Sequence, residues 1–146
     1  MQLLPAGWRD FWAIWLLQNV TFGRDAWDPV ELGWQLITAL VRLKALEDGL
    51  VQGYVFGERR DREGVGWITT LGVHPRFRQR GLGRQLLRAA EATLATPIVR
   101  LTVRPSNVIA LRLYEQSGYR QTRRIPRYYV GGEDGFEMEK SASGSD

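Results

Sequence analysis

With 146 residues and 16.7 kDa the chain has the size of one domain. Its 44% hydrophobic and 25% charged residues exclude a disordered or fibrous protein, and 16 aromatics are available for a core. Lys plus Arg exceed Asp plus Glu by 20 to 16, for a net charge of +4 and a pI near 9.8, which suits acidic ligands without requiring nucleic acid. The absence of Cys removes disulfides, thiol nucleophiles and thiolate metal sites, and the single His cannot build a zinc site, so no metal is expected. The apolar run Phe11 to Leu17 is shorter than a membrane span and lacks a small-residue cleavage site. A cytoplasmic protein with no membrane partner is expected.

In chain order, Met1 to Leu4 reads as a short strand ending at Pro5. Phe11, Ile14, Trp15 and Leu17 recur at helical spacing behind a candidate cap, Asp10, which predicts a helix to Val20. Asp28-Pro29, cap then proline at the first helical position, opens a second helix to about Leu36. Ala39 to Leu46 and Leu50 to Phe56 flank Asp48-Gly49 as a hairpin, and the charged loop Glu58 to Glu63 leads to a strand over Gly66–Val73. Gly81 to Leu94 reads as a helix with Leu82, Leu86, Ala89 and Thr93 along its apolar side, stopped by Pro97. A strand Ile98–Val103, a helix Asn107–Ser117 capped by Ser106 and stopped by Gly118, a strand from Tyr119 and a last strand over Phe136–Lys140 complete a mixed α/β order. Residues 1–140 read as a single domain and the polar stretch 141–146 as a disordered tail.

Between the strand ending at Val73 and the helix starting near Gly81 lies His74-Pro-Arg-Phe-Arg-Gln-Arg-Gly-Leu-Gly-Arg84. A basic, glycine-containing turn into a helix suits a pyrophosphate, because unpaired N–H groups and the positive helix end face the anion and the glycines admit close approach. A tight connection with solvated arginines would look similar at this level. His74 follows the strand but precedes Pro75 inside the turn, which makes it a weak candidate base.

Arg78-Gln-Arg-Gly-Leu-Gly83 resembles the Arg/Gln-x-x-Gly-x-Gly/Ala acetyl-CoA signature of the GCN5-related N-acetyltransferases, the GNAT superfamily. Val103-Arg-Pro-Ser-Asn107 with Ala110, Leu113-Tyr114 and Gly118-Tyr119 resembles the later block of the same family. Pro126 to Met138, with Tyr128-Tyr129 and Gly132-Glu-Asp-Gly135, is similar to the C-terminal segment of ribosomal-protein-alanine and other N-terminal α-amino acetyltransferases. These blocks cover about Ile68 to Lys140. The resemblance implies a twisted mixed sheet of about seven strands with about four helices, split into a V between the fourth and fifth strands by a bulge in the fourth.

It also implies roles. Acetyl-CoA would lie along Leu71, Gly72 and Val73, with its phosphates on Arg78, Gln79, Arg80, Gly81, Leu82, Gly83 and Arg84, and Asn107 would touch its pantetheine arm. Asn107 and Tyr114 are seven residues apart, so on a helix they face nearly the same side, about 10 Å apart along the axis. Tyr114 would be the general acid: a phenol with a reference pKa near 10 can protonate a leaving thiolate of reference pKa near 8.5. The ribosomal-protein-alanine enzymes carry Glu five residues before the motif Asn, and here that position is Thr102, which cannot be a general base at neutral pH. An α-amine tolerates this loss, because at pH 7 its neutral form costs only about 1.4 kcal/mol, against roughly 4.6 kcal/mol for a lysine. Thr69, Thr70 and Glu31 could relay a proton through water. Tyr128 and Tyr129 would hold an extended acceptor peptide, with Trp27 or Phe22 as the opposite wall.

The expected activity is transfer of acetyl from acetyl-CoA, the only cofactor implied, to a primary amine, foremost the N-terminal α-amine of a protein or peptide, in a ternary complex. A small-molecule amine or lysine side chain is the alternative within enzymes, and a catalytically silent CoA-binding regulator the alternative outside them. The chain would act as a monomer or homodimer. Its arginines have a sufficient ligand in the coenzyme, so nucleic-acid binding is not expected.

Overall fold

The computed structural model describes residues 1–60, 64–78 and 80–141. Seven strands and four α-helices are present among them: β1 Gln2–Pro5, α1 Phe11–Phe22, α2 Pro29–Thr38, β2 Val41–Glu47, β3 Leu50–Arg60, β4 Val65–Val73, α3 Leu82–Leu94, β5 Ile98–Val103, α4 Val108–Gln116, β6 Arg120–Ile125 and β7 Gly135–Ser141. The strands pair in the order β1-β2-β3-β4-β5-β7-β6. The β4–β5 pairing is parallel and runs from Val65↔Ile98 to Trp67↔Arg100, whereas β1–β2, β2–β3, β5–β7 and β6–β7 are antiparallel. The chain gathers into two compact units, Met1–Glu58 with Ile68–Leu94 and Arg59–Trp67 with the chain from Ala95 onward, so β4 changes unit between Trp67 and Ile68.

In the first unit, α1 and α2 bury Ile14, Leu17, Leu32 and Leu36 with Ala6, Ala39, Tyr54 and Phe56. Asp28 caps α2 as expected, its Oδ1 accepting from the Glu31 N–H at 2.8 Å. Asp10 does not cap α1 with its side chain. Its carboxylate instead accepts from the Gly7 N–H at 2.9 Å and from Lys44 Nζ at 2.6 Å, which ties the entry of α1 to β2. The β2–β3 hairpin closes through Asp48 and Gly49, both in the left-handed region at φ 52° and 76°, as a two-residue turn requires. β3 runs on to Arg60, taking in Glu58, which the sequence had suggested for a loop.

The buried stripe of α3 is Leu82, Leu86, Leu87, Ala90 and Leu94 rather than the expected row ending in Ala89 and Thr93. Both rows begin at Leu82 and Leu86, but the leucines at 87 and 94 rotate the apolar side toward them. Thr93 stays exposed, and its hydroxyl donates to the Ala89 carbonyl at 3.0 Å.

In the second unit, β5 alternates with Val99, Leu101 and Val103 buried, and Met138, Tyr114 and Tyr119 complete that core. Helix α4 is capped by Asn107, not by Ser106: Asn107 Oδ1 accepts from the Ala110 N–H at 3.2 Å. The expected cap was one residue early because Ser106 is drawn elsewhere, its hydroxyl donating to Glu133 at 2.8 Å. Gly118, at φ 99°, ends the helix as predicted, and the Tyr119 N–H returns to the Tyr114 carbonyl at 3.0 Å. Ser141, expected in the tail, pairs with Ile98 as the last residue of β7. The remaining tail residues, 142–146, lie outside the described residues.

Candidate active site

The turn into α3 is assembled by main-chain interactions. At the end of β4, the His74 N–H donates to the Gln52 carbonyl at 2.9 Å, while Pro75–Phe77 form one 3-10 turn. The imidazole Nδ1 of His74 accepts from the Arg76 N–H at 3.1 Å, so this nitrogen serves the turn. Arg78 Nε donates back to the Val73 carbonyl at 3.2 Å, and the Arg80 guanidinium lies 5.5 Å from the centre of the Phe77 ring. Gly81 then takes φ 79°, a conformation that L side chains rarely adopt, and its carbonyl accepts the first helical bond of α3 from Gln85 at 3.1 Å. Leu82 is buried and anchors the helix, Gly83 is half-buried, and Arg84 is exposed. Gln79 lies outside the described residues.

Leu71 and Gly72 are buried on β4 and Val73 is half-buried. Gly72 has a specific reason to be glycine: an added Cβ would come within 2.8 Å of the Tyr54 hydroxyl and 2.9 Å of its ring. That tyrosine is almost fully enclosed, and burial pushes its phenol up to about 12, against the pull of the Thr21 and Thr70 hydroxyls. Thr70 is half-buried and Thr69 exposed, as alternation along a strand dictates.

The other first-unit candidates have local partners. Trp27 packs edge-on to Phe56 at 5.3 Å, its carbonyl accepts from buried Gln18 at 2.8 Å, and with Phe22 it lies against the hydrophobic cluster. Glu31 accepts from Gln35 Nε2 at 2.8 Å along α2.

In the second unit the hairpin between β6 and β7 is held by charge. Glu133 accepts from Arg104 Nη1 at 2.8 Å, from the Ser106 N–H at 2.9 Å and from the Ser106 hydroxyl at 2.8 Å. These donors, Arg104 first, hold its carboxyl below the usual carboxylate range. Arg104 also donates to the Val130 carbonyl at 2.9 Å and stacks 4.6 Å from the Tyr129 ring centre. Asp134 accepts from the Arg127 N–H at 3.0 Å and from Arg124, and these bonds likewise lower its carboxyl. Arg127, a non-glycine residue at φ 51°, is thereby fixed immediately before Tyr128 and Tyr129, whose rings meet edge to face at 4.8 Å. The pair therefore rests on a loop clamped to the start of α4. Tyr128 is 51% exposed.

Tyr114 is buried on α4, its ring 6.0 Å from Tyr119. Asn107 sits at the N-cap of that helix, with Oδ1 accepting from the Ala110 N–H. Thr102 brings a feature that sequence reading missed. Its register partner on β7 is Glu137, the one buried charged side chain among the described residues, at 8% exposure. Glu137 Oε2 accepts from the Thr122 hydroxyl at 3.0 Å, and Arg123 Nε lies 3.5 Å from its Oε1. The same face holds Gly135, where an added Cβ would meet Thr102 at 2.9 Å and Tyr128 at 3.0 Å. Glu137 stands inside a quoted motif, but only the pairing of β5 with β7 puts a carboxylate opposite Thr102.

Mixed strands in this order and a parallel β4–β5 step ahead of the basic turn into α3 agree with the N-acetyltransferase fold that the sequence motifs implied. The profile of the Acetyltransferase (GNAT) family matches residues 8–119, and the chain belongs to that family. Among its relatives, the N-alpha-acetyltransferase RimI of Mycobacterium tuberculosis is 32% identical over 124 residues, covering 82% of this chain and 78% of the relative. The N-terminal acetyltransferase B complex catalytic subunit NAA20 of Arabidopsis thaliana is 37% identical over 101 residues, covering 64% of this chain and 57% of the relative. The chain thus spans little more than half the length of that plant protein. The fold is shared with the ribosomal-protein-S18-alanine N-acetyltransferase of Escherichia coli at TM-score 0.85 and 20% identity, covering 96% and 92% of the two chains. It is shared as well with Naa20 of Chaetomium thermophilum in complex with a bisubstrate analogue, at 0.84 and 22%, covering 98% and 87%.

Proposed function

We propose that the protein transfers acetyl from acetyl-CoA to the N-terminal α-amine of a protein or peptide in the cytoplasm. The observation that supports this most is the Tyr128–Tyr129 pair held by the Arg104–Glu133–Ser106 clamp, because a fixed, partly exposed aromatic pair suits an extended chain end. The turn suits a diphosphate: Gly81 at φ 79° leads into the first turn of α3, whose leading N–H groups have no carbonyl within the helix, and Arg78, Arg80 and Arg84 belong to the same stretch of chain. Gln79 belongs to the same proposal. Acetyl-CoA supplies an activated thioester.

In this reading Leu71, Gly72 and Val73 present backbone to the pantetheine arm, and Asn107 reaches it through its amide nitrogen. The neutral amine attacks the acetyl carbon and the carbon–sulfur bond breaks. Tyr114 gives its phenolic proton to the departing sulfur, and Glu137 takes the proton the nitrogen sheds, the role that Thr102 cannot fill. Trp27, Glu31, Thr69 and Thr70 contribute to the acceptor side.

Mass spectrometry of peptides with free and blocked N-termini tests the proposal. Acetylation of free N-termini alone is expected. Acetylation confined to blocked peptides with internal lysines, or to small amines, would assign another acceptor, and coenzyme binding without any transfer would make the protein a regulator.

A further inference from the structure

The outward side of α1 and α2 is apolar. No residue of α1 is charged. While Ile14, Leu17 and Gln18 point inward, Trp12, Leu16 and Val20 recur every fourth residue on the opposite side, 70, 65 and 59% exposed. Trp8 extends the row by one more step at 69%. On α2, Val30, Trp34 and Ile37 are 81, 62 and 66% exposed, opposite the buried Leu32 and Leu36. Both helices bury their inward residues in the same cluster and pack against each other, which brings their outward rows side by side. A helix apolar all round is ordinarily enclosed on every side, and α1 is enclosed on one.

The area matters. Three tryptophans of roughly 250 Å² each, exposed as above, contribute on the order of 500 Å², already near the upper end of the 300–600 Å² patch of an ordinary monomer. The four aliphatic side chains extend this toward the roughly 800 Å² per partner of a stable interface.

We infer that this face is where a second copy of the chain docks, through a two-fold contact of the α1–α2 face with its own counterpart. Charge selects this occupant. The chain carries +4, so two copies repel least where they meet through a face poor in charge, and Glu31 is the one charged residue of α1 and α2, with Arg9 over the Trp8 ring at the edge of the row. A two-fold contact must also be self-complementary, and rows of Trp, Leu, Val and Ile meet that condition without any pairing of opposite charges. An acidic partner would be met by the arginines of other surfaces.

Sedimentation of the full chain over a concentration series tests the inference. The wild type is expected to pass from monomer to dimer, and the double variant Trp12→Glu, Leu16→Lys to stay monomeric with an unchanged circular dichroism spectrum, since both residues are exposed. The cysteine-free chain allows a second measurement that does not depend on that variant. Among Trp12→Cys, Leu16→Cys, Val20→Cys and Trp34→Cys, tested singly under mild oxidation, at least one should give a disulfide-linked dimer, and exposed Thr93→Cys on α3 should give none. A wild type that remains monomeric at every concentration, a dimer that survives the double variant, or cross-linking through Thr93→Cys alone would overturn the inference. So would a monomer that sediments with phosphatidylcholine–phosphatidylglycerol vesicles, which would assign the face to a lipid surface.

Discussion

The turn into α3 is basic and the hairpin loop between β6 and β7 is not; both contain glycines, yet they are held by different means. In the turn, backbone geometry does the holding, through the His74 and Arg76 N–H groups, the Val73 carbonyl and the left-handed Gly81. In the hairpin, Glu133 and Asp134 take up Arg104, Arg124 and the Arg127 backbone, so its charges are largely neutralised internally. The turn directs Arg78 and Arg80 onto its own carbonyl and ring, whereas the hairpin satisfies its charges in ion pairs and presents aromatic surface. In the proposed function the first would take a coenzyme diphosphate and the second a peptide.

Substitutions can break this contrast. The largest expected effect is on chemistry: Tyr114→Phe keeps the ring and removes the proton, so turnover should fall by about 10²–10⁴ with acetyl-CoA affinity nearly unchanged in steady-state kinetics and calorimetry. Unchanged turnover would make Tyr114 a packing residue. Glu137→Gln should lower turnover by about 10²-fold, and adding Thr102→Glu, which restores a carboxylate at the facing position, should recover part of it. A variant as active as the wild type would leave Glu137 a role in the strands alone.

Gly81→Ala should weaken acetyl-CoA binding by about fivefold through backbone strain of roughly 1 kcal/mol. Nothing lies within 4 Å of the added Cβ, so steric blockage cannot account for the loss, and normal affinity by calorimetry would detach the turn from the coenzyme. Glu133→Gln should act on the other loop, raising the acceptor KM several-fold while leaving acetyl-CoA binding intact.

The smallest expected effect is on pH dependence. Because folding lowers the carboxyl pKa values of Glu133 and Asp134, their contribution is complete above the unfolded values of 4.5 and 3.8 and is lost as pH falls through the lower folded values. Protection factors of the amides in Tyr128–Asp134, corrected for the slower intrinsic exchange in acid, should therefore fall on acidification before those in β5 do.

The turn into α3, the β2–β3 hairpin, the Asp28-Pro29 helix start and the Gly118 stop were legible because each depends on the conformations of a few adjacent residues. Backbone preference, a cap or a positive φ leaves its mark within a short window. Misreadings arose where a side chain had a distant alternative: Asp10 left its cap for Lys44, and Ser106 left its cap for Glu133. The α3 stripe turned because burial is set by what packs against a helix, and periodicity alone gives several adjacent rows to choose from.

From its amino acids alone the protein had determined its mixed α/β order and its family, both encoded by local preference and contiguous motifs. Only tertiary structure set Glu137 opposite Thr102, clamped the tyrosine pair through Arg104 and left one side of α1 and α2 uncovered. Those outcomes depend on strand register and on which faces meet, and such long-range pairings are chosen by the whole chain at once.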